Sequence, residues 1–156
     1  MRDSVRILIV DDHQIVRQGV KSILAERPDW QVCGEASNGQ EAIESTMALH
    51  PDLIIMDITM PVMNGLDAAA RISSMRLGAL LLVLTMHEFE PLVRDIRRVG
   101  ARGYVQKARA GRDLICAIDA LLEGRTYFAT QTKPEPSTDG GASAAGLAHR
   151  MILRIA

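Results

Sequence analysis

The sequence predicts an α/β domain, a doubly wound parallel sheet of five strands with helices on both faces. Three observations predict it. Five short apolar runs recur between Val5 and Gln106, each is followed by a stretch with apolar residues three and four apart, and the joints between them are short. Strands in such an alternation are parallel and joined by right-handed crossovers. At 156 residues the chain has room for one domain with a real core and a modest appendage.

The first run, Val5 to Val10, ends in two acids, Asp11 and Asp12. Ile15, Val16, Gly19, Val20, Ile23 and Leu24 then give one apolar helix face, closed by Pro28. Gln31 to Ala36 is the second strand. Asn38, three residues before Glu41, reads as the N-cap of a helix running to about Leu49. The third strand, Leu53 to Met56, stops at Asp57, and Pro61, Asn64 and Gly65 are turn residues that put this carboxylate at a strand-to-loop junction. A third helix is expected from Leu66 through Met75, ending near Gly78. Ala79 to Leu84 is the fourth strand, with Thr85 at its end. Leu92, Val93, Ile96 and Val99 mark a fourth helix, closed by Gly100 as a left-handed C-cap residue. Gly103 to Gln106 is the fifth strand, followed by Lys107, and Leu114, Ile115, Ile118, Leu121 and Leu122 complete a fifth helix.

The domain is thus expected over residues 1–125. Residues 126–146, rich in Pro, Ser, Thr, Gly and Ala, have linker composition, and 147–156 are a short apolar tail with room for two helical turns. An apolar fraction of 47% with 24% charged residues is ordinary for a soluble globular protein. A net charge of -1 argues against a large nucleic-acid surface, which needs surplus Lys and Arg to neutralise phosphates. Cys33 and Cys116 are too few for a disulfide scaffold and lack ligand spacing; both lie in apolar patterns and are expected to be buried free thiols. The start of the chain has no signal-peptide layout, and no apolar run approaches the roughly 18 residues of a membrane span, so the expected compartment is the cytoplasm.

In an open α/β sheet, ligands bind at the carboxyl ends of the strands. The residues at those ends are Asp11 and Asp12, Asp57, Thr85 and Lys107. Three carboxylates so close repel one another unless a cation sits among them, and Mg²⁺ suits such a set because it binds one or two carboxylates and completes its shell with water and phosphate oxygens. A hydroxyl and an ammonium beside them complete a site for a phosphoryl group. His13 and His87 lie near but have no partner at ligand spacing.

On these residues the sequence resembles the receiver domain of bacterial two-component response regulators, over residues 5 to about 125. V-D-D-H at Val10 to His13, M-D-I-T-M-P-V-M-N-G around Asp57, L-T-M-H-E at Leu84 to Glu88 and G-A-R-G-Y at Gly100 to Tyr104 are similar to the NarL/FixJ (LuxR-type) branch. The resemblance implies strand order 2-1-3-4-5, the flavodoxin-like, CheY-like arrangement. It implies that Asp57 is the phosphoacceptor for the phosphohistidine of a sensor histidine kinase, with Lys107 contacting the phosphoryl group. Asp12, Asp57 and the main-chain carbonyl of Thr59 would hold Mg²⁺, with Asp11 helping through water. Thr85 and Tyr104 would be the switch pair, altering the face made by the fourth helix, fifth strand and fifth helix. Thr59, Met86 and His87 would tune the lifetime of the aspartyl phosphate, Met86 by partly covering it. The expected output is transcription control or a partner protein, with phosphorylation-dependent homodimerisation among the partners and no membrane contact.

Two features depart from the resemblance. The tail after the linker is too short for the helix-turn-helix output domain of that branch, so DNA contact is expected only through an output domain that these residues do not supply. Val62 stands at a loop position where receivers often have a small residue. Two other functions fit parts of the pattern. A phosphatase using an aspartyl phosphate on a small substrate would resemble D-x-D at the nucleophile, but Thr59 fills the second position and leaves no general acid. A degenerate receiver acting only by binding usually loses a key position, and here all are present.

Overall fold

A computed structural model describes residues 4–128. The elements alternate as expected: β1 (Val5–Val10), α1 (Gln14–Leu24), β2 (Trp30–Ala36), α2 (Gly39–Leu49), β3 (Leu53–Asp57), α3 (Gly65–Met75), β4 (Leu80–Thr85), α4 (Glu90–Arg98), β5 (Gly103–Gln106), a 3-10 turn at Lys107–Arg109, α5 (Ala110–Leu122) and β6 (Tyr127–Phe128). The strands form one parallel sheet in the order β2-β1-β3-β4-β5-β6. This is the order expected for five strands, with a sixth added at the β5 edge. That sixth strand is a correction to the sequence reading, which assigns residues 126–146 to a linker: the sheet runs on to Phe128. The rest of that stretch and the tail at 147–156 lie outside the described residues.

Two-residue periodicity divides the strand side chains between two cores. Ile7, Ile9, Leu53, Ile55, Leu82, Leu84 and Val105 face α1 and α5. Leu8, Val10, Ile54, Met56, Leu81, Val83 and Tyr104 face α2, α3 and α4. Each central strand is therefore apolar on both sides, which is why it reads as a continuous run. Asn38 caps α2 as expected, accepting a hydrogen bond from Glu41 N at 2.9 Å, and Gly100 ends the α4 segment at φ 92°.

Cys33 and Cys116 are not both buried. Cys116 is exposed, because the face of α5 against the sheet is made by Leu114, Ala117, Ile118 and Leu121, and position 116 points away from it; Cys33 is half-buried on an edge strand. Below the sheet, Trp30 is buried at the start of β2 with the Arg27 guanidinium 4.5 Å above its ring. Arg27 Nη1 in turn donates to both carboxylate oxygens of Asp119 on α5, at 3.0 and 2.8 Å. Among the described residues no helix is long and apolar enough to cross a membrane.

Candidate functional site

β1, β3, β4 and β5 all end at one edge of the sheet, so parallel pairing alone gathers Asp11, Asp57, Thr85 and Lys107 there. All four are buried, which is unusual for charged side chains that lack partners, and the three charged ones, Asp11, Asp57 and Lys107, are partnered through the ammonium. Lys107 Nζ lies 2.9 Å from Asp11 Oδ2 and 3.2 Å from Asp57 Oδ1. Asp57 Oδ1 also accepts from Ile58 N at 2.9 Å. Burial, and after it the charge of Asp11, push the Asp57 carboxyl up to about 6 against the opposing pull of Lys107 and the Ile58 N–H. Burial works against the Lys107 ammonium, yet Asp57 and Asp11 outweigh it and its pKa is raised.

The loop after Asp57 is built around a glycine. A Cβ on Gly65 would lie 1.8 Å from the Asp57 carbonyl oxygen, so only glycine lets α3 start so close to β3. Gly65 N donates to Ile58 O at 2.7 Å, and Asn64 caps α3 by accepting from Asp67 N at 2.9 Å. Between them Val62 sits at φ 67°, exposed, in the left-handed region that a β-branched residue rarely adopts. The sequence flags this position only as a departure in size; its conformation gives the reason a small residue suits it.

Asp12 is partly buried beside Asp11, and its Oδ1 receives no hydrogen bond although His13 Nδ1 lies 3.1 Å away. Asp11, Asp12 and His13 offer ligand atoms within 4.8 Å of one another. A cavity of about 480 Å³ opens beside them, and Asp12, Asp57, Thr59, Thr85, Met86, His87 and Lys107 all line it. Apart from Tyr104, then, every residue singled out from the sequence is at this edge, Asp11 through its contact with Lys107. Met86 is exposed on the cavity wall.

Tyr104 lies elsewhere, on the α4 side of β5. Its ring is buried and its hydroxyl donates to Glu88 Oε1 at 2.5 Å. Burial and the neighbouring Glu88 carboxylate raise the phenol pKa. Thr85 Oγ1 donates to His87 O at 3.1 Å and accepts from His87 N at 3.2 Å, so the loop after β4 is tied to the hydroxyl at the site. Glu88 is the residue the sequence reading missed. It bridges Tyr104 and Gln106, accepting from Gln106 Nε2 at 2.5 Å, and its sequence signal is its place at the end of L-T-M-H-E, three residues after Thr85.

This sheet edge, with a buried acid, a paired ammonium and a hydroxyl at successive strand ends, defines a class of phosphorylation-controlled signalling module, and the family profile described as the response regulator receiver domain matches residues 7–119. The chain belongs to that family. Its relatives place it beside the NarL and LuxR-type regulators. The transcriptional regulatory protein DegU of Brevibacillus brevis is 36% identical over 126 residues, 81% of this chain and 53% of that protein. The nitrate/nitrite response regulator NarL of Escherichia coli K12 is 35% identical over 133 residues, 85% of this chain and 62% of that protein. The crystal structure of a LuxR-family response regulator from Aurantimonas sp. SI85-9A1 superposes with a TM-score of 0.76 at 35% identity, covering 80% of this chain and 89% of that one. The chain thus spans between half and two thirds of the length of these two curated relatives. The family is one of signalling switches rather than turnover enzymes.

Proposed function

We propose that the chain is a phosphorylation-controlled switch in which Asp57 accepts a phosphoryl group from the phosphohistidine of a sensor histidine kinase. The observation that carries this reading is the buried Asp57 carboxylate at a cavity wall, paired with Lys107 at 3.2 Å. An Asp57 carboxylate oxygen attacks phosphorus; an O–P bond forms, the N–P bond breaks, and the imidazole nitrogen keeps the electron pair. Lys107 holds a positive charge where the phosphoryl oxygens arrive. The hard-oxygen donor set, with an Asp12 oxygen that receives no hydrogen bond, fits Mg²⁺. Asp12, Asp57 and the Thr59 carbonyl would hold the ion, with Asp11 acting through water, and it would supply the charge that neutralises donor and acceptor oxygens.

Thr85 then exchanges its bond to the His87 carbonyl for one to the phosphoryl group, and Tyr104 rotates toward the space it leaves. The result is a population shift that alters the α4–β5–α5 face. Thr59, Met86 and His87 at the cavity mouth set the lifetime of the aspartyl phosphate; Met86→Ala is expected to hasten its hydrolysis by admitting water. The modified face forms a homodimer or meets a partner protein in the cytoplasm, and regulation of transcription runs through a DNA-binding output domain outside this receiver.

Intact mass after incubation with acetyl phosphate and Mg²⁺ tests the reading, with Asp57→Asn and a chelated sample as controls. A gain of one phosphoryl group, absent in both controls, is the expected result. No gain from acetyl phosphate or from a phosphorylated sensor kinase overturns it in favour of a receiver that acts only by binding.

A further inference from the structure

Tyr104 stands between two segments of the chain. On one side stands Glu88 of the β4–α4 loop, bonded to the Tyr104 hydroxyl and to Gln106. On the other is Phe128 of β6, its ring centroid 5.9 Å from that of Tyr104 and tilted by 55°. The Arg97 guanidinium of α4 covers the outer face of Phe128 at 3.8 Å. Glu88, Arg97, Tyr104 and Phe128 also line a small cavity of about 170 Å³, so there is free space beside the tyrosine ring.

The backbone of β5 is shaped for this contact. A Cβ at Gly103 would stand 2.5 Å from the Tyr127 carbonyl oxygen, so any other residue there would push β6 away. Tyr127 N donates to Arg102 O at 2.9 Å. Against these contacts, β6 has only two described residues and sits at the sheet edge, so its attachment depends on two side chains, Phe128 against Tyr104 and Tyr127 against the core on the α5 side, more than on a ladder of backbone bonds.

We propose that β6 is a detachable strap, docked on Tyr104 while Asp57 is unmodified and released when the switch moves Tyr104 away, so that the signal leaves the receiver through Phe128 into the chain that follows. The proposal rests on the phosphoacceptor reading of Asp57 and adds the route by which that event reaches residue 128. Thr85, His87, Glu88, Tyr104 and Phe128 make a continuous chain of contacts along it. Because linkage is reciprocal, loosening the strap must favour the phosphorylated form as much as phosphorylation loosens the strap.

The test uses the full chain with Mg²⁺ and beryllofluoride, a phosphoryl mimic, as the probe. Saturating beryllofluoride is expected to speed amide exchange at Tyr127 about 10-fold or more. Phe128→Ala, and independently Gly103→Ala, are expected to tighten beryllofluoride binding about 5-fold, although neither residue touches the acid cluster. Either variant suffices should the other fail to fold. Wild-type binding with Tyr127 exchange unchanged, or unaltered affinity in a folded variant, overturns the strap. Wild-type protein that binds no better than Asp57→Asn overturns the phosphoacceptor reading itself, and the strap falls with it.

Discussion

The loops that follow β3 and β4 both border the candidate site, yet they are held by different means. The β3–α3 loop, which follows the proposed acceptor Asp57, is fixed through its main chain: Gly65 N to Ile58 O at 2.7 Å, Met63 N to Pro61 O at 2.7 Å, and Gly39 N reaching across from α2 to Met63 O at 2.9 Å. Asn64 then caps the helix. The β4–α4 loop is tied by the side chains of Thr85 and Glu88, exposes Met86, His87 and Phe89, and leads into a helix with no side-chain cap. A reacting carboxylate must stay where the phosphoryl group arrives, which main-chain bonds ensure. A responding loop must be able to exchange partners, and side-chain bonds to a hydroxyl and a carboxylate can be exchanged without unfolding anything.

The largest effect is expected at the fixed loop. Gly65→Ala forces a Cβ into the Asp57 backbone and should cost about 3 kcal/mol or more in urea unfolding; wild-type stability in that variant would break the contrast outright. Next is Asp57, the proposed acceptor. Its folded pKa of about 6 lies above the unfolded value, so its contribution to stability is fully present below about pH 4 and is lost as pH rises through 6. With metal chelated, Asp57→Asn should therefore stabilise the fold at pH 7, by up to about 3 kcal/mol, and the gain should vanish below about pH 4. Denaturant midpoints for both proteins across that range check the sign.

Smaller effects distinguish the two helix starts. Asn64→Ala removes a cap from the fixed side and should lower stability by about 1 kcal/mol in thermal unfolding. Phe89→Ser does the reverse on the responding side. Phe89 is exposed with an extended backbone at φ -153° and ψ 149°, the geometry of an N-cap, so a serine there should add about 0.5 kcal/mol. A loss instead would mean that the phenylalanine ring, not an absent cap, governs how that loop is held.

The sheet and its strand ends were legible because burial on both faces leaves unmistakable marks. Leu53 to Met56 and Leu81 to Leu84 are continuous apolar runs, and polar residues at their ends stand out against them. The approach of Asp11, Asp57 and Lys107 follows from parallel pairing, which needs only the order of elements. What was not legible depends on contacts distant in sequence. Tyr127 and Phe128 follow charged and polar residues with no periodicity, and only Gly103 and Tyr104, more than twenty residues earlier, make them a strand. Glu88 looks like one more solvated acid until β5 brings Tyr104 and Gln106 to it. Cys116 was misread because an apolar residue in an amphipathic helix is taken for part of its buried stripe, and a single 100° step decides otherwise.

Trp30 is the sole tryptophan in the chain and pairs with Val5, at the opposite end of β1 from Asp11. Five residues of strand separate the two ends, roughly 17 Å. Its ring is clamped between the core and Arg27, a contact that persists only while α1, β2 and α5 stay assembled. Indole fluorescence is therefore expected to follow unfolding and to stay silent during the phosphorylation proposed for Asp57. One optical signal can report the stability of the unmodified and the modified protein on the same scale, and the difference between them is the free energy that the phosphoryl group delivers to the fold.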